Sequence, residues 1–289
     1  MRILILGARG NLGGQLVKVF SVDKNEVIYW DKEEIDITDR ELIIKKINDI
    51  RPDVIVNPAA YNAVDKCEES DEEYEIAKKI NIDGPKFLAE AAIQVDAILV
   101  HYSSDYVFDG KNKKGYIETD EPNPINRYGK TKYHGEKRII EMSGNGLKWY
   151  LIRTSKLFGP KGESEQTKES FFDLMLRLSN EKKEFNMVDG EEISCFTYTP
   201  DLAIRTKELI DKNCSYGIYH IVNSGPCSWY EAAKFLFTFI NKSDIKLNPI
   251  KSEVYPRPAK RPAYTVLLNT RMEPLRNWQE ALKEYLKNN

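Results

Sequence analysis

The chain has 289 residues, and its 43 basic and 45 acidic side chains leave a formal net charge of −2. Such a balance, with no basic stripe, gives no support for nucleic-acid binding. The length suits one large α/β unit or a main domain with a smaller one. Cys67, Cys195, Cys214 and Cys227 are scattered without C-x-x-C spacing, which argues against both a zinc site and a disulfide framework, and no metal is expected.

Met1-Arg2 runs straight into an apolar stretch that does not resemble a signal peptide, and no run approaches the ~20 apolar residues that span a bilayer. The expectation is a cytoplasmic protein without membrane contact. Arg2–Leu6 is a continuous apolar run that suits a strand buried on both faces of a parallel sheet. It feeds Gly7-x-x-Gly10-x-x-Gly13 and then Gln15–Phe20 of helical character. Strand, glycine turn and helix in that order form the context of a dinucleotide fingerprint. Gly7 permits the tight turn, Gly10 lets the backbone approach a pyrophosphate, and Gly13 lets the helix pack on the strand. Asn11 and Leu12 stand at the anion-facing helix start.

Glu26–Trp30 reads as the second strand. It ends at Asp31, near the distance at which an acid meets the adenosine ribose and favours NAD, whereas Lys32 could meet a 2′-phosphate. The residues Asp36 and Ile37 after it are placed with the cofactor, and Thr38 reads as a helix N-cap with Glu41 completing a capping box. Asp53–Asn57 is a third strand, followed by the small residues Ala59 and Ala60 and then Tyr61 where a cofactor would lie. A long polar helical region spans 70–95. The strand Ala97–Ser103 then delivers Ser103, Ser104, Asp105 and Tyr106 to the same sheet edge, and its His101 reads as packed and structural, as do His134 and His220.

Beyond a loop ending at Ile125, Tyr128 and Lys132 stand four residues apart in a helical segment, about one turn, so phenol and ammonium share a face. A free phenol has a pKa of about 10, and a nearby ammonium favours its ionised form. Lys148–Arg153 reads as a fifth or sixth strand. Residues 154–192 read as loop with one amphipathic helix, Phe171–Leu178. A helix opens at Thr199-Pro200, Tyr216–Val222 reads as a last sheet strand, and helices follow at Trp229–Ile240 and from Trp278.

With the glycine turn, Ser104 and Tyr128-x-x-x-Lys132 in that order, the chain resembles an extended short-chain dehydrogenase/reductase, and more closely the dTDP-4-dehydrorhamnose reductase family. Asn57–Lys66, Ser103–Gly110, Tyr198–Ala203 and Arg257–Pro262 each resemble a segment of that family. The resemblance implies a Rossmann-type, doubly wound parallel sheet over 1–153 plus about 193–223. It implies a smaller nucleotide-sugar-binding domain over about 154–192 plus 224–289. The implied reaction is reduction of the C4 keto group of a nucleotide-linked 4-keto-6-deoxy sugar with NADPH, or NADH, as cofactor. Tyr128 would donate the proton, Lys132 would bind the nicotinamide ribose and depress the phenol pKa, and Ser104 would hydrogen-bond the same oxygen. Asp105 and Tyr106 would line the sugar pocket, and Arg257 and Arg261 would face the diphosphate. Lys156 stands where the family usually has a tryptophan plate against the sugar, which keeps a sibling reductase of another C4 epimer or a UDP-sugar in view; a non-catalytic regulatory relative is the other alternative, although the presence of Ser104, Tyr128 and Lys132 argues against it. A monomer or homodimer is implied.

Overall fold

The structure is a computed structural model and describes residues 1–164 and 167–288. The chain runs β1 (Arg2–Leu6), α1 (Asn11–Phe20), β2 (Glu26–Trp30), α2 (Arg40–Ile50), β3 (Val54–Asn57), α3 (Val64–Glu69), α4 (Asp71–Lys78), α5 (Gly84–Val95), β4 (Ile98–Ser104), α6 (Arg127–Met142) and β5 (Lys148–Thr154). It continues through β6 (Leu157–Phe158), α7 (Phe171–Leu178), β7 (Glu184–Val188), β8 (Thr197–Tyr198), α8 (Thr199–Asp211), β9 (Gly217–His220), β10 (Asn223–Ser224), α9 (Trp229–Phe239), β11 (Lys246–Ile250), β12 (Leu275–Asn277) and α10 (Trp278–Lys287).

Alternation along the strands decides the layers. Ile3, Ile5, Val54, Val56, Val100 and Ile152 face α1 and α8, where Leu12, Leu16 and Leu202 meet them. Leu4, Leu6, Ile55, Leu99 and Leu151 face the opposite layer, where Ile43 of α2, Leu88 of α5 and Ile139 of α6 close over them. Both faces being buried, the strands read as continuous apolar runs, and each fully buried Ile or Leu contributes about 1.5–3 kcal/mol. The sheet is parallel throughout, in the order β2-β1-β3-β4-β5-β9. The winding reverses between β1 and β3, and in open α/β sheets ligands bind at the carboxyl ends of the strands at such a point. A third core gathers Phe158, Phe172, Phe196, Leu236, Trp278 and Leu282 away from the sheet.

Several expectations need correction. Thr38 is not the cap of α2: Asp39 is, accepting from Leu42 N, while the Thr38 hydroxyl donates to Asp36 Oδ1 at 2.7 Å. A carboxylate one residue later outcompetes the hydroxyl, and no capping box forms. The polar stretch after Ser70 is not one helix, because a π-helical turn, Lys79–Asp83, separates α4 from α5. Residues 154–192 carry strands the sequence reading missed: β6 pairs with β8, and β7 pairs in parallel with β11 over five residues. Their partners lie 40 residues away (157 to 197) and 62 residues away (184 to 246), beyond the reach of local periodicity. Among the described residues, no helix is long and apolar enough to cross a membrane.

Candidate active site

The turn after β1 has the shape an anion needs. Gly7 takes φ +57°, and a Cβ on Gly13 would stand 2.1 Å from Gly7 O, so α1 can lie this close to the strand only with glycine there. α1 starts at Gly10 with no side-chain cap and no acid in its first turn, leaving its N–H groups and dipole for a negative ligand. Asn11 reaches outward instead, accepting from Gly162 N at 2.7 Å and donating to Lys168 O at 3.1 Å. Leu12 is buried in the core. The Asp31 carboxylate accepts from Arg9 N at 2.9 Å and Lys32 N at 2.8 Å, which fixes the end of β2 beside the turn. Lys32 is exposed, Asp36 holds the turn before α2, and Ile37 is buried. Ala59 lies over Gly7, and the backbone of Tyr61 is bonded in both directions by the Asn81 side chain, at 3.0 and 3.1 Å. These residues fit a dinucleotide.

The reaction centre forms where β4 ends and α6 begins. Asn126 caps α6 by accepting from Gly129 N at 2.7 Å, and a Cβ on Gly129 would stand 2.2 Å from Tyr106 O. That close approach sets Tyr128 edge-on to Tyr106, ring centroids 5.8 Å apart, and beside Ser104. The Ser104 hydroxyl donates to Asp105 Oδ1 at 3.0 Å and accepts from Tyr106 N at 3.2 Å. The Tyr128 hydroxyl donates to Asn62 Oδ1 at 3.5 Å. Lys132, one turn on, is buried and donates to Tyr102 O at 2.7 Å. Burial pushes its ammonium down from 10.5 to about 8, against the opposing pull of Glu136.

The expected depression of the Tyr128 pKa is not what these surroundings produce. Burial pushes the phenol up, and the Ser104 hydroxyl offsets only part of this. An almost fully buried phenol is therefore held neutral, the form that donates a proton.

Asp105 is buried, and Thr265 donates to its second oxygen at 2.6 Å. Burial raises its pKa, with Thr265 foremost among the groups that oppose the rise. Arg261 lies bidentate on Asp65 at 2.8 and 2.7 Å, and Arg257 grips both oxygens of Glu192. Asn126, the cap of α6, also donates to Lys260 O at 2.9 Å, which ties this arginine loop to the helix bearing Tyr128. Lys156 donates to Glu192 O at 3.0 Å and lies over the Trp229 ring. Sequence reasoning missed Asn62, Asp65, Asn81, Glu192, Trp229 and Thr265. Asn62 and Asp65 stood inside a quoted segment, whereas the others are joined to the site only through long-range contacts.

The parallel sheet, the glycine turn and the Tyr-Lys pair beside a strand-end serine define an extended short-chain dehydrogenase/reductase. A family model described as the RmlD substrate binding domain matches residues 1–289. The dTDP-4-dehydrorhamnose reductase of Aggregatibacter actinomycetemcomitans is 35% identical, over 98% of this chain and 97% of that protein. The spore coat polysaccharide biosynthesis protein SpsK of Bacillus subtilis is 36% identical, over 99% of this chain and 96% of its own. Among solved structures, the dTDP-4-dehydrorhamnose reductase of Bacillus anthracis in complex with NADP superposes with a TM-score of 0.91 at 34% identity, covering 100% of this chain and 99% of that one. The Clostridium acetobutylicum orthologue gives 0.90 at 40% identity, with the same coverage. The chain belongs to the dTDP-4-dehydrorhamnose reductase family.

Proposed function

We propose that this chain reduces dTDP-4-dehydro-β-L-rhamnose to dTDP-β-L-rhamnose with NADPH, in the cytoplasm. One observation carries the reading: at the carboxyl end of β4 Tyr128 stands beside Ser104, and Lys132, one helical turn on, donates to Tyr102 O of the same strand. Gly7, Gly10, Asn11, Leu12 and Gly13 would hold the pyrophosphate, with Asp31, Lys32, Asp36, Ile37, Ala59, Ala60 and Tyr61 around the rest of the cofactor. The reduced nicotinamide, when bound, supplies the hydride that adds to C4.

The chain's own residues manage the oxygen. Tyr128, held neutral by burial, gives its proton to the keto oxygen as negative charge grows there, and Ser104 steadies the same atom. Lys132 would hold the nicotinamide ribose through its free N–H groups and would bring positive charge beside the phenolate left after the transfer. Residues 1–153 plus about 193–223 would form the cofactor domain, and about 154–192 plus 224–289 the sugar-nucleotide domain. Asp105 and Tyr106, at the edge of the cofactor domain, and Lys156 would line the sugar, and Arg257 and Arg261 would turn their remaining N–H groups to the diphosphate from beside Glu192 and Asp65.

Lys156 favours keeping a second reading, a sibling reductase of the other C4 epimer or of a UDP-sugar. A panel of dTDP-, UDP- and GDP-4-keto-6-deoxy sugars, run with NADPH and NADH, decides between them, with product C4 configuration read by NMR. The first reading requires the dTDP-β-L-sugar with NADPH to give the highest kcat/KM and the rhamno product. Turnover of none of the panel would refute both.

A further inference from the structure

Residues 255–274, which carry Arg257 and Arg261, form no helix or strand beyond single bridges at Tyr264 and Leu267. Side chains from elsewhere therefore fix where this loop sits. Asp65 accepts from Ala259 N at 3.2 Å as well as from both arms of Arg261, and Arg261 donates to Ala259 O at 2.8 Å. Between these two residues, the Lys260 carbonyl accepts from the Asn126 amide at 2.9 Å. Thr265 makes a second tie, to Asp105 at 2.6 Å, and Asp105 is bonded to Ser104. The loop is thus joined both to the cap of α6 and to the end of β4.

Asn126 is buried, and both ends of its side chain are committed. Its Oδ1 accepts from Gly129 N at 2.7 Å, which caps α6, while its Nδ2 donates to Lys260 O. Capping needs only the acceptor, and aspartate or serine supplies that as well as asparagine does. The donor is what the amide adds. The turn it holds is the one bearing Tyr128, and that turn has little freedom: Arg127 N donates to Glu68 Oε2 at 2.9 Å, and Gly129 has no room for a Cβ against Tyr106 O.

We propose that Asn126 is a positioning residue: through its bond to Lys260 O, the hold of the arginine loop on a diphosphate places Tyr128 against the keto oxygen. This rests on the reading above, in which Arg257 and Arg261 meet the diphosphate and Tyr128 gives the proton. Binding energy from a part of the substrate that does not react can orient the groups that do, and its signature is a change in kcat rather than in affinity. With the bond to Lys260 cut, the arginines still meet the diphosphate and α6 is still capped, but the loop no longer fixes the turn that bears Tyr128.

The test measures kcat and KM by NADPH absorbance for dTDP-4-dehydro-β-L-rhamnose and for 4-dehydro-β-L-rhamnose 1-phosphate, which lacks the nucleoside and one phosphate. The proteins are the wild type, Asn126→Asp and Asn126→Ser, with dTDP affinity read by calorimetric titration. Both replacements cap α6. Aspartate has no donor for Lys260 O, and serine, which keeps the position neutral, has a single oxygen that the cap occupies. The wild-type preference for the full substrate should shrink about tenfold in both variants, the effect of one hydrogen bond. The loss should appear in kcat for the full substrate relative to kcat for the truncated one, while dTDP affinity stays near wild type. Each preference is taken within one protein, so a lower folded fraction in a variant cancels. A merely structural cap would slow both substrates alike, and an unchanged preference therefore overturns the proposal. So does a fall confined to KM and dTDP affinity, and in both cases the reductase stands. A wild type with no preference for the full substrate removes the diphosphate contact and the proposal with it, whereas one that reduces neither substrate sinks the reductase reading itself.

Discussion

Replacing Lys132 with methionine should make the cofactor-free protein more stable and far less active. Burial moves this ammonium from 10.5 to about 8. At about 1.36 kcal/mol per unit, keeping it charged near pH 7 costs the native state on the order of 3 kcal/mol. Methionine fills similar volume without charge and gives up one hydrogen bond to Tyr102 O, typically worth about 1 kcal/mol. The net gain is about 2 kcal/mol. A chain of this size unfolds with roughly 0.6 kcal/mol/K of entropy, so Tm should rise by about 3 °C. The sign with pH is fixed. A lysine depressed in the native state penalises folding fully below about pH 8, and the penalty fades as pH rises to 10.5, where the unfolded chain also loses its proton. The advantage of Lys132→Met should therefore shrink over that interval. Meanwhile kcat/KM should fall by about 10²–10³, the usual effect of removing a preorganised group from a developing charge. Thermal melts from about pH 7 to 10 and NADPH oxidation assays measure the two sides. A variant less stable than wild type at pH 7, or one with near-normal turnover, would refute the reasoning.

Tyr128→Phe should lower turnover by about 10²–10⁴ while melting and NADPH affinity stay near wild type, because the phenol's hydrogen bond to Asn62 is long, at 3.5 Å, and Ser104 keeps Asp105 and Tyr106 N as partners. Near-normal turnover would remove Tyr128 from the chemistry. Gly13→Ala puts a methyl 2.1 Å from Gly7 O, so α1 must move. The expected destabilisation is about 1–3 kcal/mol, with NADPH binding weakened at least about tenfold, read by fluorescence titration. Glu136→Ala strands the Arg153 guanidinium, which Glu136 now meets at 3.0 and 2.7 Å with both side chains buried. A loss of about 3–5 kcal/mol in denaturant unfolding is expected.

How far the sequence could be read depended on the reach of each interaction. The sheet was legible because its strands are buried on both faces, so Arg2–Leu6 and Val54–Asn57 advertise themselves within a few residues. The Tyr128-Lys132 spacing and the Gly7–Gly13 turn were legible for the same reason: each is a local geometry written in adjacent positions. The pairing of β7 with β11 was not, since its partners are about 60 residues apart and half exposed. Nor was the state of the arginines. Composition marks Arg257 and Arg261 as anion binders, but only the fold brings Glu192 and Asp65 onto their forks. The tyrosine pKa reversed the expectation for a related reason. Four-residue spacing puts Lys132 on the right face of α6, yet says nothing of the Tyr102 carbonyl that accepts its hydrogen bond or of the burial that raises the phenol pKa.

The site's cations fall into two kinds, and the difference predicts a measurable proton. Arg153, Arg257 and Arg261 each lie bidentate on a carboxylate of the chain, whereas Lys132 and Lys156 are bonded to carbonyl oxygens and carry depressed pKa values. A buried ammonium on a neutral carbonyl keeps much of its desolvation penalty, and that penalty is relieved when a ligand supplies further oxygens. NADPH binding should then raise the Lys132 pKa from about 8 towards its ordinary value. Near pH 8.5, where free Lys132 is mostly neutral, binding should take up a fraction of a proton, and at about pH 6.5, where it is already charged, almost none. Calorimetric titrations of the enzyme with NADPH in buffers of different ionisation enthalpy give that number directly. The uptake should vanish in Lys132→Met. Uptake of the same size in that variant, or none in the wild type at the higher pH, would show that Lys132 is not the group whose charge the cofactor stabilises.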